Sequence, residues 1–277
     1  MQMDPLLQPF LKWAGGKRQI LPVIRNYVPK QFNTYYEPFI GAGAVLFGIQ
    51  PKVAVINDTN VELINCYQVI QHSLDELIID LSKHSNDQDY YYATRDLDRT
   101  AEFNKLTPVQ RASRIIFLNK TCFNGLFRVN SDGQFNVPFG HYQNPKILNK
   151  VVLQAVHNYL VSNNIKILNT DFAAVTAAAK KDDFIYLDPP YDPISSTSSF
   201  TSYDLNGFNR EDQQRLKRVY AKLVKRGCKV LLSNSATDFI MDLYREYTIV
   251  KVAANRNINS IASGRGKIDE VLVMSYD

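Results

Sequence analysis

Asp188-Pro189-Pro190-Tyr191 follows directly on the apolar run Phe184-Ile185-Tyr186-Leu187. The run has the length and composition of a buried strand, so the carboxylate of Asp188 leaves that strand's end. Two prolines stiffen the turn, because each fixes its own φ, and Pro189 offers a carbonyl held at a set angle. Tyr191 then supplies a flat ring. Such a set suits a grip on the exocyclic amino group of a planar base. Two acceptors meet its two hydrogens, a ring faces the base, and a methyl group approaches from the other side. The plain alternative is a proline turn closing a strand, and the rest of the chain decides between the two.

Other strand ends carry chemistry as well. Thr34–Phe39 reads as a strand closing on Gly41-Ala42-Gly43, where backbone can approach a ligand closely because no Cβ intervenes. Val53-Ala54-Val55-Ile56 is followed by Asn57-Asp58, and a carboxylate there suits the two hydroxyls of a ribose. Ile165–Leu168 leads to Asp171-Phe172, an acid beside an aromatic, which suits an adenine ring and its amino group. Parallel α/β sheets bind ligands beyond the carboxyl ends of their strands. Together these groups describe an adenosine-containing ligand. They do not describe a dinucleotide, because Gly41-Ala42-Gly43-Ala44-Val45-Leu46 lacks the third glycine of GxGxxG. Gly15-Gly16-Lys17-Arg18 is no phosphate loop either, with Leu11 five residues before Gly16 and Arg18 where a Ser or Thr is needed. A nucleoside with an amino-acid tail, such as S-adenosylmethionine, fits better. Lys17 is the expected partner of that tail's carboxylate, and Trp13 packs on the flat part.

The elements that must position these groups read as a doubly wound sheet with an insertion. Ala44–Gly48 begins a helix, and helices are expected from about 60 to 72 and from about 74 to 82. From about 86 to 160 the alternation of strand and helix stops. A helix is expected to start at Thr107-Pro108, threonine as cap and proline at the first helical position. Phe123 to Pro145 follows as a long irregular stretch. The α/β pattern then resumes, with a helix over Arg210–Arg226, a strand at Val230-Leu231-Leu232, a helix from Thr237 to about Tyr244 and a closing strand pair, Tyr247–Ala253 with Glu270–Tyr276. Ser195–Ser202, rich in Ser and Thr, reads as a lid beside Tyr191 or as a plain flexible linker. The domains are expected to be 1–59 with 163–277, binding the cofactor, and an inserted, mostly helical unit, 60–162.

Composition narrows the partners. The 277 residues are 45% hydrophobic, with no apolar stretch near the roughly 20 residues that cross a bilayer. The N-terminus lacks the pattern of a signal peptide, so a cytoplasmic location is expected. Cys66, Cys122 and Cys228 form no CxxC pair and no zinc set, so no metal is expected. The net charge is +5. Between Gln110 and Lys150 stand Arg111, Arg114, Lys120, Arg128, Lys146 and Lys150 against the single acid Asp132, and the remaining chain is balanced. The whole excess therefore lies in one central segment. It also holds Phe117, Phe123, Phe127, Phe135, Phe139 and Tyr142. Cations interleaved with aromatics read as a surface facing phosphates and bases.

These motifs together resemble the adenine-N6 DNA methyltransferases of the Dam type, especially the DpnM-like GATC methylases of restriction systems. The matching pieces are Phe10–Lys17 (FLKWAGGK), Tyr36–Gly43 (YEPFIGAG), Ile56–Asp58 (IND), Phe123–Asn130 (FNGLFRVN), Gln134–Gly140 (QFNVPFG), Asp171-Phe172 and Asp188–Tyr191 (DPPY). They follow the order of the family's alpha group and span most of the chain. The resemblance implies an S-adenosylmethionine-dependent, Rossmann-like α/β fold with a DNA-recognition insert. Its substrate would be double-stranded DNA containing GATC. Trp13, Lys17, Asp58 and Asp188 would contact the donor, with Phe39, Gly41, Gly43, Asp171 and Phe172 around it. Phe123 would wedge into the duplex and Asn124 would lie near the vacated pair. Leu126, Arg128 and Pro138 would read the far half of the site, and Lys12 and Tyr142 its first base pair. Asp188, Pro189 and Tyr191 would act on the flipped adenine. A cognate restriction endonuclease is a possible partner in the same system, with no direct contact implied. Two other classes share the strand-end motif. An RNA or protein-glutamine methyltransferase also uses it, though a glutamine methylase has little use for a basic, aromatic insert. A non-enzymatic DNA-binding protein would be expected to have lost Asp188, Tyr191 or the cofactor acids, and all are present.

Overall fold

The apolar runs 53–56 and 184–187 become strands. The computed structural model describes residues 3–193, 207–255 and 267–276; Ser195–Ser202, the expected lid, lies outside them. The strands are β1 (Tyr35–Glu37), β2 (Val53–Asn57), β3 (Asn164–Leu168), β4 (Phe184–Leu187), β5 (Lys229–Ser235), β6 (Thr248–Asn255) and β7 (Lys267–Met274). The helices are α1 (Leu21–Asn26), α2 (Ala44–Ile49), α3 (Val61–His72), α4 (Leu74–Leu81), α5 (Gln88–Asp96), α6 (Pro108–Thr121), α7 (Lys150–Ser162), α8 (Phe172–Thr176), α9 (Arg210–Lys225) and α10 (Asp238–Leu243). The fold is α/β, with a mixed sheet in the order β3-β2-β1-β4-β5-β7-β6.

The chain divides into two units. The second unit, residues 17–40, 51–59 and 170–277, carries most of the sheet. β1 runs parallel to β2 and β4, and β4 parallel to β5. β7 then pairs antiparallel with both β5 and β6. β4 is buried throughout, as continuous apolar sequence in a parallel strand requires; β1 is buried too although it ends on Glu37, whose carboxylate accepts from the Tyr35 hydroxyl at 2.7 Å. β1 ends before the expected Phe39 because Pro38 has no N–H to give a ladder. β5 is longer than expected. Ser233, Asn234 and Ser235 are polar yet fully buried, and no hydrophobic pattern could include them.

The first unit comprises residues 1–16, 41–50 and 60–169. Its core is helical, with α6 packed against α3, α4 and α5, and α7 against α3 and α4. A capping box starts α6. The Gln110 amide donates to Thr107 Oγ1 at 3.2 Å, and the Thr107 amide donates to Gln110 Oε1 at 2.9 Å. Helices α5 and α7 stand in the stretch where no strand–helix alternation was expected, and caps begin both. Asp87 accepts from the Tyr90 amide, and Asn149 from that of Val152. The irregular stretch 123–145 is tied by two isolated antiparallel bridges, Cys122 with Phe139 and Val129 with Phe135.

Candidate active site

In the second unit the loops beyond the parallel strands β1 and β2 and the segment that begins at Thr170 meet on one residue. Asn57, fully buried at the end of β2, donates to the Pro38 carbonyl at 2.9 Å and to that of Thr170 at 3.0 Å. It also accepts from the Thr170 amide at 2.8 Å, and its own carbonyl takes the Ile40 amide. The loops carrying Phe39, Asp58 and Asp171 are thus fixed to one another. Asn57 lies inside the Ile56–Asp58 motif, and nothing in its spacing marks it as this knot.

Beyond this knot lies an aromatic group. Phe39 and Phe172 have ring centroids 5.4 Å apart, and Phe208 stands 5.9 Å from Phe39 and 6.0 Å from Phe172. Asp171 caps α8 by accepting from the Ala173 amide at 2.9 Å and forms an ion pair with Arg215, whose guanidinium lies 4.3 Å from the Phe172 ring. Burial pushes the Asp171 carboxyl up, but Arg215 and the α8 amides outweigh it and hold the group below the ordinary carboxylate range. Phe208 and Arg215 escaped the sequence reading because both lie far along the chain from any motif.

The loop after β4 is braced from several directions. Asp188 Oδ1 lies 2.9 Å from Lys17 Nζ and accepts from Ser233 Oγ at 2.8 Å. The Lys17 side chain is 5% exposed and that of Asp188 16%. The same ammonium group stands 4.6 Å from the Tyr191 ring centroid, and the Tyr191 hydroxyl donates to Glu270 Oε2 at 2.9 Å. Burial pushes the Asp188 carboxyl above its ordinary value; Lys17 and Ser233 oppose that shift, and Glu270 adds to it. The prolines do not hold the loop alone. Gln213 of α9 donates to the Pro190 carbonyl at 2.8 Å and is itself fixed by Asn234 at 3.1 Å. Asp192, buried, accepts from Thr237 Oγ1 at 2.7 Å and pairs with Arg210. Lys17, Asp188 and Tyr191 are therefore brought together, and the charge expected for a cofactor carboxylate lies on Asp188.

The first unit gathers most of the residues expected to face nucleic acid. Lys12 Nζ stands 5.3 Å from the Tyr142 ring centroid. Asn119, fully buried, donates to the Lys12 carbonyl at 2.9 Å and to that of Gly125 at 3.0 Å. The Phe123 amide donates to the Pro138 carbonyl at 2.9 Å. Phe123 is 49% exposed, and Asn124 beside it adopts φ 57°, in the left-handed region. Arg128 is exposed and braced, with Nε donating to Asn136 Oδ1 at 2.7 Å and Nη2 to the Asn136 carbonyl at 3.2 Å. Leu126 is half-buried. Trp13 stacks on Phe127 at 4.8 Å, and a Cβ on Gly41 would come within 3.1 Å of its ring. Gly43, at φ 76°, opens α2.

The central basic, aromatic segment is smaller as a surface than its sequence implied. Arg114 is buried against Asp98 at 2.8 Å, and Arg111 pairs with Glu62. Both acids lie outside the counted window. Phe117, Phe127, Phe135 and Phe139 are core residues. Phe123 and Tyr142 are the two aromatics of that set left outside the core. Spacing along the sequence cannot separate a cation facing solvent from one neutralised by a distant acid. The three cysteines are buried, and burial pushes the Cys122 thiol up to about 12 and that of Cys228 up to about 11, which leaves neither a nucleophile at neutral pH.

An α/β sheet with a braced Asp-Pro-Pro-Tyr loop at a strand end defines a class, and comparison with known proteins gives its family. Residues 13–258 match the model of the D12 class N6 adenine-specific DNA methyltransferase, and the chain belongs to that family. It is 46% identical to the type II methyltransferase M1.LlaDCHI of Lactococcus lactis subsp. cremoris over 98% of this chain and 96% of that one. It is 44% identical to the type II methyltransferase M.MjaIII of Methanocaldococcus jannaschii over 98% and 99% respectively. The DNA adenine methylase of Escherichia coli (strain K12) is 34% identical over 96% of this chain and 94% of its own. The protein is an enzyme of adenine-specific DNA methylation.

Proposed function

We propose that the chain methylates N6 of adenine within double-stranded GATC, using S-adenosylmethionine and a flipped base. One observation carries the reading of the site: Asp188 is held at a strand end by Lys17 and Ser233, from two other segments, beside the Tyr191 ring, which Glu270 anchors. Target adenines are stacked in the duplex, so the base must leave it, at a cost of a few kcal/mol offset by protein contacts. Tyr191 stacks on the extruded base, and Asp188 and the Pro189 carbonyl accept the two hydrogens of N6. The nitrogen lone pair is delocalised into the ring and is a poor nucleophile. Two fixed acceptors favour the more tetrahedral nitrogen of the transition state, and they act by preorganisation.

The donor's residues fit the chemistry they would meet. The rings of Phe39, Phe172 and Phe208 offer an apolar wall, with Asp171 beside it and Asp58 at the end of β2 for hydroxyl groups. Trp13, Gly41 and Gly43 complete the expected set, and Lys17 would choose between Asp188 and the donor's carboxylate. When bound, S-adenosylmethionine supplies an activated methyl group on a sulfonium. The protein's part is alignment of N6 with it.

For recognition, residues 60–162 serve as the target-recognition insert on a catalytic part formed by 1–59 and 163–277. Phe123 is the wedge, Asn124 lies by the vacated pair, Leu126, Arg128 and Pro138 read the far half-site, and Lys12 and Tyr142 the first base pair. The braced guanidinium of Arg128 suits guanine acceptors in the major groove. Two relatives named as type II methyltransferases support a place in a restriction–modification system, protecting sites from a cognate endonuclease in the cytoplasm. DNA from a host expressing the chain, digested with methylation-sensitive GATC nucleases, tests the specificity. A full methylation pattern at GATC is expected; methyladenine in a different sequence would reject GATC, and transfer to RNA but not to duplex DNA would reject the substrate.

A further inference from the structure

We infer that Ser233 is a positioning residue that fixes the carboxylate of Asp188 so that Oδ2 meets the amino group. The inference rests on the reading of Asp188 as amino acceptor. Register places Leu232 of β5 opposite Leu187 of β4, so Ser233 stands opposite Asp188. The Ser233 hydroxyl has one proton and gives it to Asp188 Oδ1 at 2.8 Å. The Tyr186 hydroxyl, 2.9 Å from Ser233 Oγ, must therefore donate to it. Tyr186 and Ser233 are both fully buried, and burial pushes the Tyr186 phenol well up, so this donor stays protonated. The result is a directed chain, Tyr186 to Ser233 to Asp188, built on two neighbouring strands. Lys17 meets the same oxygen, Oδ1. Two donors on one oxygen fix the carboxylate plane, and among the described residues no hydrogen bond reaches Oδ2. The two oxygens thus divide the work. One is anchored to the sheet, and the other is presented to N6.

The charged and titratable groups facing Asp188 are Lys17, Glu270, Tyr186 and Tyr191. Ser233 adds a neutral donor that favours the ionised form. Its removal should raise the pH at which activity falls on the acid side and slow the chemical step.

The test compares Ser233→Ala, Ser233→Thr and Tyr186→Phe in the full chain by single-turnover methylation, with cofactor and duplex binding measured separately. Ser233→Ala should keep both affinities within about 2-fold and lose roughly 10- to 100-fold in rate, the worth of a hydrogen bond to a charged group. Its acid limb should move to higher pH. Ser233→Thr, which keeps the hydroxyl, should recover most of the rate, and Tyr186→Phe should shift rate and limb in the same direction by less. Should Ser233→Ala not fold, the Tyr186→Phe profile decides: an unmoved rate and limb would overturn the inference. Wild-type rate and limb in Ser233→Ala, or an equal defect in Ser233→Thr, would overturn it as well. Asp188→Ala separates the two levels. If that variant turns over normally, the reading of Asp188 fails. If it is inactive while Ser233→Ala is normal, only the role of Ser233 fails.

Discussion

Asp188 sets the expected pH dependence of the reaction. Its carboxyl is raised above the ordinary value, mainly by burial. Protonation removes an acceptor, so turnover should fall as pH drops through the raised value. A kcat–pH profile should therefore show an acid limb above the free carboxylate range near about 4; a limb at or below that value would contradict the assignment. Asp188→Ala should retain cofactor and DNA binding and lose roughly 100- to 1,000-fold or more in methyl transfer, judged against lost preorganised partners elsewhere. Near-normal turnover would refute its role. Arg128→Ala should relax discrimination at one base pair by about 1–3 kcal/mol, read by comparing GATC with single-substitution duplexes. Equal weakening on all sequences would mark Arg128 as a phosphate contact instead.

Elements matter here through the small devices that hold loops. The stretch 123–145 carries most of the expected reading residues, and the bridge between Cys122 and Phe139 is one of its two fasteners. Gly140 follows that bridge. A Cβ there would stand 2.7 Å from the Cys122 carbonyl oxygen and 2.6 Å from the Tyr142 ring. Backbone must shift to admit it, so Gly140→Ala should destabilise the protein by about 1–3 kcal/mol and weaken duplex binding more than donor binding. Equal affinity for GATC duplex in that variant would mean the loop tolerates the shift. The same scale explains what sequence patterning missed. Helix α7 buries Val152, Leu153, Val156, Tyr159 and Leu160 at helical spacing, but exposed Val151 and Val161 blur that face; Asp87 and Asn149 mark the starts of α5 and α7. The polar end of β5 is a strand because its side chains find partners on Asp188, Asp192 and Gln213, and those partners are 21 to 45 positions away.

Across the whole molecule, ligand binding to the folded chain should appear as stability. At a concentration about 100-fold above its Kd, S-adenosylmethionine should add about 2.7 kcal/mol, seen as a rise in melting temperature. No rise at such a ratio would argue against a native donor site. Much of the protein's function was readable from the chain by itself. A proline-stiffened tetrapeptide after an apolar run, acids at successive strand ends and an interrupted α/β pattern are local features, and local chemistry writes them. β4 was legible to the residue. The tertiary structure decided which charges are available and which are neutralised. Arg114 and Arg111 left the basic surface because Asp98 and Glu62 reached them. Lys17 found Asp188, and Asn57 tied three loops that the sequence keeps far apart. Ion pairs and buried hydrogen bonds depend on distance in space, and periodicity along a chain carries no record of it.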